Sequence, residues 1–70
     1  MKYLIVIEKT GTEFSAYSPN LMGCIATGRD QSEVESEMRD AIEFHLEGMR
    51  AEGLAVPEPQ SYSTYVEVAV

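Results

Sequence analysis

Seventy residues with 12 acidic and 5 basic side chains, a formal charge of −7, make one small domain with an anionic surface. Such a surface repels nucleic-acid phosphates and anionic membranes; it suits a basic protein partner, or simply keeps a small domain soluble. A single cysteine and a single histidine allow no internal disulfide and no structural Cys/His metal site, and no apolar run reaches the ~18 residues of a membrane span.

The first segment, "KYLIVIEK" (residues 2–9), is apolar at Tyr3, Ile5 and Ile7 and also at Leu4 and Val6. That pattern predicts a central strand with both faces partly covered. It lacks the small-residue cleavage site of a signal peptide, so a cytoplasmic protein is expected. "KTGTE" predicts a turn around Gly11, and "EFSAYSP" a second strand alternating Phe14 and Ala16 with Ser15 and Tyr17. The loop that follows carries Leu21 and Met22 where a solvated turn would be polar, then Gly23 and Cys24. "CIATGR" predicts a third short strand, ended at Gly28 by a positive φ angle.

Asp30 with Glu33 three residues on is a capping-box pattern. Val34, Met38, Ala41, Ile42, His45, Leu46 and Met49 then line one stripe of a helix, with Arg50 in its last turn and Gly53 as its stop. "VPEPQS" reads as an extended connector, and "TYVEVAV" (residues 64–70) as a fourth strand, Val66, Val68 and Val70 alternating with Tyr65, Glu67 and Ala69. The expected fold is α+β in the order β-β-β-α-β: a single domain over residues 1–70, with a small mixed sheet and one helix packed on one face. A right-handed crossover would lay the fourth strand parallel to the first and beside it. One helix covers one face only. The other face is therefore expected to drive self-association, to a dimer or higher.

Phe44 falls about 125° from the centre of the apolar stripe, with Ala41 and Gly48 beside it. It either packs on the connector or forms a flat patch for a partner; a glycine inside a helix suits close approach of another backbone. The carboxylates Glu33, Glu35, Glu37, Asp40, Glu43 and Glu47 spread over the outer helix face, as a solvated surface or one for a basic partner. Cys24 reads as a small buried hydrophobe and His45 as a satisfied core histidine. Glu8 and Glu67, on strands expected to be neighbours, have no third ligand to make a metal site. No phosphate-cradling loop or catalytic triad is present. No catalytic residue, metal or cofactor is expected, and no direct contact with nucleic acid or membrane.

"MKYLIVIEKTGTEFSAYSPNLMGCIATGRD" followed by "AIEFHLEGMRAEGLAVPEP" resembles the HicB-like antitoxins nearly from end to end. Tyr17, Pro19, Leu21, Gly23 and Cys24 stand where the family's loop has Tyr-x-Pro-Asp-Leu-Pro-Gly-Cys, with Asn20 for the aspartate and Met22 for the second proline. Ala41, Ile42, His45, Leu46 and Glu47, then Gly53, Pro57 and Pro59, follow the family's helix and connector. The resemblance implies a truncated ribonuclease-H-like domain without nuclease carboxylates, which binds and silences a HicA toxin, a small basic protein that cleaves mRNA. The C-terminal DNA-binding segment of many members has no counterpart after Val70, so autorepression by this polypeptide is not expected. The partner-binding residues expected are Asn20, Leu21 and Met22 in the loop and Glu37, Asp40, Phe44 and Glu47 on the helix. Two other functions stand beside an antitoxin: a homo-oligomeric ligand- or protein-binding module with no toxin, and a residual metal-dependent nuclease using Glu67.

Overall fold

A computed structural model describes residues 1–70. Three antiparallel strands, β1 (Val6–Thr10), β2 (Glu13–Ser18) and β3 (Leu21–Gly28), form a sheet in the order β1-β2-β3, and α1 (Gln31–Ala51) follows. Gly11, at φ +60°, opens the two-residue loop between β1 and β2, a conformation that hairpin loops favour and that glycine adopts without a Cβ penalty. Side chains of one sheet face, Ile7, Phe14, Ala16 and Ala26, pack beneath the helix. Ala16, Leu21, Cys24, Val34 and Met38 are the buried core, so α1 contributes its first two turns most fully.

Both helix ends follow from the sequence. The Asp30 carboxylate accepts a 2.7 Å hydrogen bond from the Glu33 amide, satisfying one of the free N–H groups of the first turn. Glu33 does not close a standard capping box, because its carboxylate accepts instead from the Arg29 amide at 3.1 Å and pairs with the Arg29 guanidinium at 3.0 Å. At the other end Gly53 (φ +73°) donates to the Arg50 carbonyl and Leu54 donates to that of Met49. These are the two bonds of a Schellman motif.

Gly28 has a role other than the predicted one. Its φ is not positive. A Cβ there would stand 2.6 Å from the Val34 amide nitrogen, so glycine lets the end of β3 pass directly under the first turn of α1.

The largest departure is the fourth strand, which this chain does not form. Residues 52–70 contain no strand, and Tyr65 and Val70 are as exposed as in an extended chain. The connector is tied down by three hydrogen bonds only. The Tyr3 hydroxyl donates to the Pro57 carbonyl, and the Asn20 side-chain oxygen accepts from the amides of Gln60 and Ser61. Tyr3 precedes β1 and Asn20 lies in the β2–β3 turn, so the connector crosses the end of the sheet away from the free edge of β1. Residues 62–70 then leave the body of the molecule. The first strand is shorter than predicted for a related reason. β2 ends at Ser18, whose hydroxyl donates to the Leu4 carbonyl at 2.9 Å, and residues 1–5 have no strand on either side. The sheet is therefore antiparallel throughout, not mixed.

Candidate functional site

The β2–β3 turn explains the apolar loop. Residues 14–17 of β2 pair in constant register with β3 up to Tyr17–Ile25, but Ser18 then pairs with Leu21. Met22, Gly23 and Cys24 are bulged out of the ladder. Gly23 supplies the positive φ (+81°) that the bulge needs, with open space around it. Bulges re-aim side chains. Here Leu21 turns inward and is 1% exposed, Cys24 turns inward, and Met22 is thrust out to 93% exposure.

Three of the loop's features are thereby occupied within the chain. Leu21 anchors the turn and presents no side chain to a partner. Asn20 holds the connector through both hydrogen bonds to its side-chain oxygen. Burial pushes the Cys24 thiol above its ordinary pKa, the direction opposite to an activated nucleophile. Met22 is the loop residue free to meet another molecule.

On the helix, Glu37, Asp40, Phe44 and Glu47 are all exposed. Their 3-4-3 spacing places them in one row, with the Phe44 ring between carboxylates. Phe44 does not pack under the connector. Its ring is 70% exposed and borders an open groove of about 580 Å³ between α1 and β3, which Ile25, Met49 and Leu54 also line. Gly48 lines the same groove with nothing within 4 Å of a Cβ, so the flat place on the helix is open to solvent. His45 is half-buried at this groove and not in the core as expected.

Ile25 and Leu54 were not legible as site residues. Leu54 carried a signal all the same, since the residue after a helix-stop glycine commonly folds back on the last turn. Ile25 carried none that survives the bulge, which sets which way each β3 residue points. The predicted neighbours Glu8 and Glu67 do not meet: Glu8 lies on β1 opposite Ser15, and Glu67 lies in the departing tail. No three His, Cys, Asp or Glu side chains gather anywhere in the chain.

An uncovered sheet face adds a second apolar surface, the cross-strand row Val6–Tyr17–Ile25, bordered by the polar row Glu8–Ser15–Thr27.

The HicB-like antitoxin of bacterial toxin–antitoxin systems is the family whose model matches, over residues 3–69. This chain belongs to the HicB-like antitoxin family. Among its relatives is a UPF0150 protein of Helicobacter pylori, 32% identical over 65 residues that cover 91% of this chain and 90% of that protein. Another is a 14.9 kDa protein from the rep-hol intergenic region of Haemophilus phage HP1. It is 32% identical over 66 residues, which are 94% of this chain but 50% of the phage protein, so the HicB-like unit spans half the length of that relative. No solved structure matches. The family match runs through the departing tail as well as the packed body, and no helix of this HicB-like chain is long and apolar enough to cross a membrane.

Proposed function

We propose that this chain is an antitoxin that binds and neutralises a small basic HicA-type mRNA interferase in the cytoplasm by covering its active surface, without turnover. Family membership supports a toxin partner. The observation that carries the rest is the exposed row Glu37, Asp40, Phe44 and Glu47. A surface that binds RNA is cationic, and carboxylates spaced along a helix compete for it as phosphates do. The Phe44 ring, with Leu54 beside it and Met22 exposed on the bulge, supplies the apolar centre that such an interface needs. Self-association belongs to the same reading, and so does the truncated ribonuclease-H-like arrangement. The latter requires residues 64–70 to become a fourth strand.

The test is RNA cleavage by a HicA-type toxin encoded beside this chain, with the chain added in stoichiometric amount. Cleavage should stop. Phe44→Ala should weaken the complex at least about tenfold, mainly through faster dissociation. Neutralising Glu37, Asp40 and Glu47 together to amides should slow association and flatten its salt dependence. Undiminished cleavage would remove the toxin from the proposal. The exposed row Val6–Tyr17–Ile25 favours a second reading, a homo-oligomeric binding module with no toxin. Recovery of the chain alone in a pull-down from its own cells would support it.

A further inference from the structure

Two segments of this chain have the character of strands and no partner. Residues 2–5 continue β1 into a run with no paired strand beside it, and residues 64–70 are a valine- and tyrosine-rich stretch standing in solvent. The four backbone hydrogen bonds formed outside the helix and strands all lie at the two ends of α1, so neither segment has any. An unpaired apolar strand beside an unpaired strand edge is a template for pairing between chains.

We propose that residues 64–70 insert as a strand along the free edge of β1 in a second copy of this chain, reciprocally, to make a two-fold strand-exchanged dimer. Three observations carry this. The first is direction: the connector, fixed at Tyr3 and then at Asn20, has already crossed the sheet end away from its own β1 edge when the tail begins. The second is the receptor. A groove of about 580 Å³ runs between residues 1–5, which lead into β1, and α1; Tyr3, Ile5, Ile42 and Leu46 are among its apolar lining, and charged side chains make up the other half. A strand laid there directs alternate side chains into the groove, and Val66, Val68 and Val70 alternate.

The third is area. The chain exposes 5681 Å², whereas a folded monomer of 7.8 kDa exposes about 4,400 Å². The surplus of about 1,300 Å² exceeds the roughly 800 Å² per partner that a stable complex buries. The shape agrees: the radius of gyration is 13.9 Å against about 11 Å for a compact domain of this length, and the longest dimension is 49 Å. The match to the HicB-like family extends to residue 69, so the tail belongs to the family's shared unit. The inference rests on the self-association proposed above and names its mechanism.

The test mixes isotope-labelled and unlabelled chains and records filtered NOE spectra on the full-length protein. Contacts between the methyl groups of Val66, Val68 or Val70 and the side chains of Tyr3, Ile5, Ile42 or Leu46 should appear in the intermolecular spectrum. Light scattering should give twice the 7.8 kDa mass. The double variant Glu67→Pro, Val68→Pro removes a ladder donor whichever residue faces β1. It should weaken the dimer at least roughly tenfold while the helix signal in circular dichroism is retained. Contacts found only within one chain overturn the exchange, and so does a tail that becomes ordered only on a toxin. A dimer that survives the prolines overturns it while sustaining self-association through the sheet face. A monomeric wild type overturns both.

Discussion

β2 and the tail make an instructive pair. "EFSAYS" is a modest strand former with two serines and an alanine, yet it is the central strand of the sheet. "TYVEVAV" has three valines, a threonine and a tyrosine, and alternates more cleanly, yet it is unpaired. The difference lies in the neighbours. Tight turns at Gly11 and Pro19–Asn20 hold β1 and β3 against β2, so its backbone is satisfied on both edges and Ala16 and Ser18 are buried. A crossover leads to the tail, and the anchors at Tyr3 and Asn20 steer it past the available edge. Strand propensity describes how well side chains suit a pleated, partly buried surface, and it supplies no such surface by itself.

The sharpest way to stress that contrast is to truncate one apolar side chain in each region. Leu21→Ala, in the bulged turn at 1% exposure, should cost about 2–5 kcal/mol, enough to unfold most of a domain this small. Val68→Ala should change stability by less than about 0.5 kcal/mol at dilutions where the chain is monomeric. Urea unfolding monitored by circular dichroism reads both. Equal costs would mean that the tail packs on its own body and would erase the contrast.

Gly28→Ala probes the packed region more gently. The added methyl would press on the Val34 backbone, which cannot rotate away as a side chain would, so β3 and α1 must separate. A loss of about 1–3 kcal/mol is expected, measured as a lower urea midpoint. The same change at Gly48, where nothing lies within 4 Å, should instead stabilise the helix by up to about 1 kcal/mol. If it also weakens a partner complex, the open place beside Phe44 is part of the interface.

The sequence made the body legible wherever the signal was local. The helix and both caps, the Gly11 turn and the alternation of β2 depend on residues within a few positions of one another. Three features were not local. The bulge at Met22–Cys24 depends on how Ser18 meets Leu21 across the ladder, and it decides that Leu21 is core while Met22 is exposed. Gly28 depends on the proximity of Val34, which no φ preference reveals. The tail depends on where two hydrogen bonds to Asn20 leave the chain. Of the partner-binding residues expected from sequence, the helix row and Met22 are exposed, whereas Asn20 and Leu21 are engaged inside the molecule.

The smallest expected effect concerns the start of α1, where the packed region begins. Hydrogen bonds from the Arg29 guanidinium, and then from its backbone amide, hold the Glu33 carboxyl below the usual glutamate range. A carboxylate whose pKa is lower in the folded than in the unfolded chain contributes stability above its unfolded pKa, and loses it as pH falls through the folded value. Acidification below the ordinary glutamate range should therefore remove this contribution, and the Arg29→Ala variant should show a shallower acid dependence there than the parent. Both groups are in solvent, so the difference should be small and should shrink further with added salt.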